Sequence, residues 1–444
     1  MNQTIQLSDH FTYRRLLRFT LPSILMLILT SLYTIVDGLF VSNIVGKTAF
    51  AAVNFVWPIL QIVSALGFMF GSGGSALIGK TMGEGEDEKA NQIFTLLILT
   101  TIGLGVLIAI FTILFLRPIL IFLGASQSML PDCMSYGRVI LLALPFMMCQ
   151  YAFSSLVVTA ERPKLGLVLT ILSGVLNMVG DALFMAVFHW GVIGAALATA
   201  LGQIVGGVIP LIYFSKKNDS RLQFCKTRWD GKALIKISIN GSSELMSNVS
   251  ASIVGMLYNA QLMKYAGANG VAAYGTLMYV NFIFLAVFMG YSMGVAPVIS
   301  YNYGAARCDE IKSLLKKNIH IILCLSLLMF LISEVLSPVM AKIFVGYDAA
   351  LLKMTIHAFR IYSISFLFSG MSILGSGFFT ALNDGLTSAV ISFLRTLVFE
   401  SGSVLVIPMI FGLDGIWFSV VVAEVIAILV TITFLITKRK KYNY

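Results

Sequence analysis

The stretches VGKTAFAAV at 45–53 and AGANGVAAY at 266–274 decide the fold, because they are two copies of one pattern. A shift of 221 residues, the separation of Gly46 from Gly267, aligns the first copy with the second. Each match is weak alone, since glycine and alanine are common in this chain. Duplication is indicated only if the same shift also holds on both sides of the two stretches.

The shift does hold along nearly the whole chain, where it pairs further small residues: Gly73 with Gly294, Gly83 with Gly304, Thr159 with Thr380, Ala160 with Ala381, and Gly194 with Gly415. Coincidence among common residues is the alternative explanation, but a single constant register favours duplication. We therefore expect a six-helix unit repeated in parallel. Its two lobes would be related by an axis along the membrane normal, with a cavity between them, as alternating access requires.

Composition places these units in a membrane. Of the 444 residues, 58% are hydrophobic and 11% are charged, whereas about a quarter of the residues in a soluble protein carry charge. Apolar runs of about 20 residues, long enough to cross the hydrocarbon core, recur throughout. We predict an all-α protein with twelve spans near 16–43, 50–79, 93–116, 135–159, 166–189, 192–214, 237–263, 271–301, 312–336, 356–381, 387–411 and 414–436.

Charge between the spans predicts the topology. The chain carries a net charge of +10, and most of its 30 Lys and Arg residues fall at the termini and in the even-to-odd loops. We therefore expect a multi-pass protein of the inner (plasma) membrane, and the positive-inside rule places both of its termini in the cytoplasm. The basic segment 215–236 is the longest polar connection. It is expected to link an amino-terminal lobe, 1–214, to a carboxyl-terminal lobe, 237–444.

Two further features of the sequence exclude alternatives. The first 15 residues lack an apolar core and a cleavage site, so we expect no removable signal peptide. The five cysteines lie far apart without CxxC pairs, so neither a disulfide framework nor a zinc site is indicated.

Acidic residues within the first lobe mark a candidate site. Asp37 lies nine residues before Gly46, or about 13 Å deep at 1.5 Å per residue, and Asp181 lies nine residues before Trp190. Thr199 is nine residues after Trp190, and Asn177 is one helical turn before Asp181 on the same face. Four oxygen-bearing side chains at one depth suit a small hard cation or a shared proton. Local hydrogen bonding of each aspartate is the alternative.

The second lobe lacks this acidic set. The shifted positions hold Tyr258, Val398, Gly402 and Val420, so the scaffold itself does not require the acids. A different charged set, Arg395, Glu400, Glu424 and Glu244, lies within or near its spans. Two interpretations stay open for that set, namely a structural ion pair and a cavity that attracts cations.

Two motifs of soluble or proteolytic enzymes lack their necessary context. The sequence GSALIGKT at 74–81 fits a phosphate-binding loop, but no strand precedes it. Ser72 and Ser376 lie beside glycines, as in intramembrane proteases, yet no histidine stands at a matching depth. We expect no enzyme activity, no catalytic residues and no cofactor.

Five segments together resemble the multidrug and toxic compound extrusion (MATE) transporters, in particular bacterial multidrug members. They are RFTLPSILM (18–26), DGLFVSNIVG (37–46), LNMVGDALF (176–184), GVIGAALATALGQ (191–203) and FGLDGIWFS (411–419). The resemblance covers essentially the whole chain. It implies two lobes in a V shape, alternating access, and export of lipophilic organic cations coupled to inward H+ or Na+. The implied partners are cationic drugs and membrane lipid, not nucleic acid, for a functional monomer.

The resemblance also bears on single residues. In members with a cation site in the amino-terminal lobe, the matching positions here are Asp37, Asn177, Asp181 and Thr199, and Tyr136 is added to the network. Thr30 is a departure, because some members have glutamine there. Flippases for polyprenyl-linked saccharides share the superfamily fold and are the alternative function. Such a flippase needs several basic residues at mid-depth to attract pyrophosphate, and Arg395 alone is available within the spans.

Overall fold

Helices make up nearly all of the computed structural model, which describes residues 5–444 without the side chains at 42, 43, 47 and 48. The helices are α1 (Tyr13–Phe40), α2 (Lys47–Gly83), α3 (Asp87–Phe122), α4 (Leu130–Thr159), α5 (Pro163–Asp181), α6 (Gly191–Ser215), α7 (Gly231–Gly304), α8 (Cys308–Val345), α9 (Ala349–Ser363), α10 (Phe366–Ala381), α11 (Gly385–Phe393), α12 (Glu400–Val406), α13 (Pro408–Thr437) and α14 (Arg439–Tyr442). Three π-helical turns extend them: Val41–Val45, Ala182–Val187 and Leu394–Phe399.

The predicted twelve crossings are confirmed once two bends are taken into account. Helix α7 has 74 residues and would be about 111 Å long if straight, but Gly267 breaks it with φ 61° and ψ −151°. Each arm is therefore one crossing. Helices α9 and α10 meet at 48° and form one bent crossing, while α11 and α12 form another through the π-helical turn between them. The segment 74–81 lies inside α2, as expected, and forms no phosphate-binding loop.

Backbone breaks repeat with the same shift as the sequence. Three pairs of positions separated by 221 residues share a positive φ, which glycine adopts most readily: Gly46 (116°) with Gly267 (61°), Gly85 (83°) with Ala306 (54°), and Gly191 (59°) with Gly412 (59°). The breaks end the first, second and fifth crossings of each half. The duplication is thus built into the backbone as well as the sequence.

The two halves meet through reciprocal contacts between glycines and backbone. A Cβ at Gly83 would overlap the carbonyl oxygen of Tyr301, and a Cβ at Gly304 would overlap the carbonyl oxygen of Lys80. These two contacts exchange under the shift, since Gly83 corresponds to Gly304 and Lys80 to Tyr301. The interface between the halves is therefore nearly self-complementary, as in a two-fold dimer.

We call the end of the bundle where α1 begins and α13 ends the terminal side, and the opposite end the far side. Glycines packed against the other half all lie in the terminal half of their helices, among the described residues: Gly73, Gly79, Gly83, Gly241, Gly290, Gly294 and Gly304. The halves are thus closed against each other on the terminal side.

The segment before α1 crosses this closed end. The Leu7 N–H donates to Glu161 (2.8 Å) in the first half, and the Phe11 N–H donates to Glu310 (3.1 Å) in the second. Leu7 and Phe11 are fully buried. A short stretch of chain therefore holds both halves at once.

The linker between the halves also touches both. It is irregular over 216–230, and Asp230 caps α7 by accepting from the Lys232 and Ala233 N–H groups. Arg221 pairs with Asp87 (2.7 Å) in the first half and lies over the Tyr301 ring (5.4 Å) in the second. The division of the chain into lobes at 1–214 and 237–444 stays a prediction.

Gly241→Val tests the backbone contact. A Cβ at Gly241 would overlap the Met69 carbonyl oxygen, whereas one at Gly255 in the same arm of α7 meets no atom within 4 Å. We expect Gly241→Val to lower the free energy of unfolding by about 1 to 3 kcal/mol through overpacking. Thermal unfolding in detergent measures this, with Gly255→Val as the control for helix propensity. Equal losses in the two variants would contradict the close contact.

The end of the chain docks on Asp384, between α10 and α11. The Tyr442 hydroxyl donates to this carboxylate (2.7 Å), and the Lys438 ammonium lies 3.4 Å away. Burial alone would raise the pKa of Asp384, but the hydrogen bonds from Tyr442 and Thr387, together with Lys438, outweigh burial and lower this pKa below its ordinary value. The ionised form is therefore the stabilising one.

Asp384→Asn should lower the free energy of unfolding by about 1 to 2 kcal/mol at pH 7, because it weakens a helix cap and a charged hydrogen bond. A carboxyl with a lowered pKa stabilises the fold above its ordinary pKa of about 4 and loses that effect as pH falls further. The gap between wild type and variant should therefore close below about pH 4. Thermal unfolding from pH 3 to 8 measures it, with the exposed Asp309→Asn as control. A gap that does not change with pH would contradict the role of ionisation.

Candidate cation site

The structure brings Asp37 and Asp181 together inside the first half. Asp37 lies near the end of α1, and Asp181 ends α5, so the packing of these helices sets their separation. Their carboxyl groups lie close enough to act on each other directly. Asp181 is fully buried, and neither of its carboxyl oxygens has a donor among the described residues. Two carboxylates this close at mid-depth need a cation or a proton between them.

Neutral oxygens stand beside the carboxylates. Asn177 is buried one turn before Asp181, and its Nδ2 donates to the Thr199 hydroxyl (3.4 Å) on α6. The amide oxygen of Asn177 is thereby left to accept or to bind a cation. Tyr136 of α4 is buried close to Thr199 and to both carboxyl groups, and its hydroxyl has no hydrogen-bond partner among the described residues. All five residues predicted for this site therefore come together.

A cavity of about 70 Å³ opens onto Asp37, Asn177 and Thr199. It adjoins a second cavity of about 50 Å³, which continues towards the terminal side between α1, α4, α5 and α6. Their shared lining is polar and aromatic: Thr30, Tyr33, Gln150 and Tyr151. The acidic site is therefore next to a second small cavity with which it shares four lining residues.

Thr30, where some MATE members have glutamine, is part of this shared lining. Its hydroxyl accepts from the Tyr33 hydroxyl (3.3 Å) and donates to the Met26 carbonyl (2.8 Å). Gln150 lines the same space from α4, and its side-chain amide donates to Ser173 (3.2 Å). Gln150 of α4 therefore supplies a side-chain amide to the space where some MATE members have a glutamine at the position of Thr30.

Sequence reasoning missed Gln203. It lies one turn after Thr199 on α6, lines the cavity, and is buried with its Oε1 lacking a donor among the described residues. The four-residue spacing that grouped Asn177 with Asp181 could have found it. So could the duplication, because Gln203 corresponds to Glu424 in the second half.

A π-helical turn adjoins each of the buried acidic centres. One such turn, Ala182–Val187, directly follows Asp181, and another, Val41–Val45, begins four residues after Asp37. A third, Leu394–Phe399, directly precedes Glu400. Such turns widen a helix locally and are frequent at functional sites. Residue periodicity assumes an ordinary α-helix and could not have predicted them.

The charged set of the second half divides into three. Arg395 pairs with Glu424, with Nη2 to Oε1 at 2.6 Å and Nε at 3.0 Å from both carboxyl oxygens. Glu400 lies near this pair. Glu244 lies apart from these three residues, on α7, and is half-buried. No described residue forms an ion pair or a side-chain hydrogen bond with its carboxylate. The structure therefore brings Arg395, Glu400 and Glu424 together and leaves Glu244 apart from them.

The MatE family model matches residues 22–183 and 245–401, which is one block in each half. The chain belongs to the MatE family. It is therefore a membrane transporter rather than an enzyme, and the predicted family is confirmed.

Relatives and solved structures extend the match over the whole chain. Multidrug export protein MepA of Staphylococcus saprophyticus is 25% identical over 94% of this chain and 92% of its own length. MepA of Staphylococcus haemolyticus is 24% identical over 96% and 93%. A crystallised MATE family multidrug resistance transporter of the MOP superfamily, in an outward-facing conformation, matches with a TM-score of 0.94 at 21% identity, covering 100% of this chain and 99% of its own. The two-lobed, V-shaped MATE fold is thereby confirmed.

Sodium binding tests the oxygen set. If sodium and a proton compete for one pair of carboxylates, sodium affinity should fall as pH falls. Asn177→Ala and Thr199→Ala each remove a neutral oxygen, so we expect sodium affinity to drop about ten-fold, or about 1.4 kcal/mol. Calorimetric titration of sodium at two pH values measures both effects. Thr170→Val is the control, because Thr170 lies on α5 and lines only the neighbouring cavity. Sodium affinity independent of pH, or equal losses in all three variants, would rule out the shared site.

Proposed function

We propose that this protein is a secondary active multidrug exporter, which expels lipophilic organic cations in exchange for inward H+ or Na+. The observation that carries the proposal is the pair of buried carboxyl groups, Asp37 and Asp181, next to a cavity in the first half. An acid in the hydrocarbon region is unfavourable by about 2.5 to 3.5 kcal/mol on insertion scales. A pair of acids at this depth therefore points to a function for their charge, namely the binding of a cation or a proton.

Coupling would follow from sharing these carboxyl groups. The coupling ion and an organic cation both need negative charge, so occupancy by one weakens binding of the other. The cavity beside Asp37 has aromatic walls from Tyr33, Trp57 and Tyr151, which suit a lipophilic cation. Site residues Asp37, Asn177, Asp181 and Thr199, with Tyr136 and Gln203, are the proposed cation ligands and their network.

The closure on the terminal side supports alternating access. The two halves pack tightly there through glycines, whereas no described glycine packs across the halves near the far side. With the termini in the cytoplasm of the inner membrane, as the basic loops indicate, the closed end faces the cytoplasm. Export then requires the halves to separate at the Gly83 and Gly304 contacts.

Two further observations favour drug export over lipid-linked sugar flipping. The relatives of highest similarity reported above are named multidrug export proteins. Arg395, which a flippase would need for pyrophosphate, is already neutralised by Glu424. A monomer contains both halves of the interface and needs no second copy to close.

Ethidium efflux from vesicles under imposed proton and sodium gradients is the direct test. Gradient-driven efflux of lipophilic cations supports the proposal. Absence of efflux for every such cation, together with movement of a polyprenyl-linked saccharide, would favour the flippase. Equal displacement of bound ethidium by anionic and cationic dyes of similar size would also contradict cation selectivity.

Asp37→Asn and Asp181→Asn should each reduce coupled efflux at least about ten-fold, because one carboxyl group cannot exchange cations as the pair does. Both substitutions keep the side-chain shape, so the protein should still insert and should unfold at a temperature near that of wild type. Asp219→Asn, in the exposed linker, controls for loss of an acid. Loss of insertion in both site variants would show instead that the acids are structural.

A further inference from the structure

The second half contains a polar centre where the cation site lies in the first half. Under the shift, Tyr258 takes the place of Asp37, and Glu424 takes the place of Gln203. Both are buried, at 1% and 5% exposure. The two halves therefore share a polar centre at the same depth, although its chemistry differs.

An ion pair satisfies part of this second centre. Arg395 holds Glu424 through three N–H to oxygen contacts of 2.6 to 3.0 Å. Glu400, which lies near the pair and is half-buried, forms neither an ion pair nor a side-chain hydrogen bond with any described residue. Two carboxylates and one guanidinium leave a charge of −1 at mid-depth, so one positive charge is missing.

The Tyr258 hydroxyl is a buried polar group of this centre. It has no hydrogen-bond partner among the described residues, and Glu400 is the charged group that acts on it most strongly. The Tyr274 ring stacks on Tyr258 at 4.9 Å between centroids, and Tyr274 and Tyr362 are both close enough to Glu400 to be affected by its charge. A buried hydroxyl without a partner is rare and indicates a ligand or a second protonation state.

The size of the missing cation follows from burial. Tyr258, Tyr274 and Tyr362 expose no more than 8% of their surface, so their ring faces are not open to an organic cation. Tyrosine hydroxyls and one carboxylate also offer fewer oxygens than a dehydrated metal ion requires. The positive charge that fits this centre is a proton.

We propose that Glu400 is a second proton-binding site, which gains Tyr258 as a hydrogen-bond partner when it is protonated and has Arg395 as the positioning residue that engages Glu424. A proton from water adds to the Glu400 carboxylate and neutralises the centre, and it leaves to water by the reverse step. The charged groups that face Glu400 are Glu424 and Arg395. The proposal deepens the proposed export function, on which its role in transport rests.

Infrared difference spectroscopy of the carboxyl C=O stretch during a pH titration of the purified full chain tests the site without transport. The exposed carboxyl groups of the chain titrate near their ordinary pKa of about 4. In Asp37→Asn combined with Asp181→Asn, we expect one further signal, separate from theirs, from a carboxyl group shielded from water. Adding Glu400→Gln should remove that signal, whereas adding Glu244→Gln should not. Tyr258→Phe should shift the frequency of the signal without removing it, because one hydrogen bond is lost. This milder variant keeps the test valid if Glu400→Gln fails to fold.

Three other results of the pH titration would overturn the proposed proton site. A signal that persists in Glu400→Gln, that is lost in Glu244→Gln, or that sodium abolishes at constant pH assigns the charge elsewhere. An unshifted signal in Tyr258→Phe removes the hydrogen-bond partner. If wild type exports no drug but the Glu400 signal is present, the proposed export function fails while the proton site stands.

Discussion

The packing of the two halves depends on close contacts between glycines of one half and backbone carbonyl groups of the other. Gly83 lies on Tyr301 and Gly304 lies on Lys80, and neither position has room for a Cβ atom. Helices that approach this closely gain dispersion contacts which bulkier residues would prevent. Because hydrophobic burial does not drive helices together within lipid, such contacts carry much of the adhesion between the halves. The segment before α1, through Leu7 and Phe11, and the linker, through Arg221, add further contacts between the two halves.

The same lipid solvent explains how the two halves treat charge. An acid at mid-depth must be paired, protonated or bound to a cation. The first half places two acids together with neutral oxygens and a cavity, so its negative charge stays available. The second half offsets one acid with Arg395 and surrounds the other with tyrosines. One scaffold therefore carries two solutions to one electrostatic problem, and a π-helical turn lies close to each.

Much of this could be predicted from the sequence, because the signals involved are periodic. Hydrophobic length gave the twelve crossings, the constant shift gave the duplication, and distance from the turn at Trp190 gave the common depth of Asp181 and Thr199. Depth and helix face follow from residue spacing alone. Rotation of one helix against its neighbour does not, since packing decides it.

What the sequence left open follows from that limit. Spacing could not decide that Arg395 engages Glu424 rather than Glu400, or that Glu244 stands apart from them. It also could not show the π-helical turns, which change the residue count per turn. The segment before α1 is held by single hydrogen bonds from Leu7 and Phe11 to carboxylates far along the chain, and no local sequence pattern predicts these bonds.

The reciprocal glycine contact has a consequence for the ancestry of the chain. If one gene segment was copied and fused to itself, Gly83 and Gly304 each faced the copy of the other's neighbouring residue. A substitution of glycine in either copy would have disturbed a contact that has its equivalent in the other copy. Glycine is present in both halves at this pair and at Gly73 with Gly294, although the positions that correspond to Gly79, Gly241 and Gly290 hold Ser300, Thr20 and Met69. Residues in the interior of a lobe lack such a reciprocal contact. Free of that mutual restraint, the interiors could diverge separately, as the exchange of Asp37 for Tyr258 and of Gln203 for Glu424 illustrates.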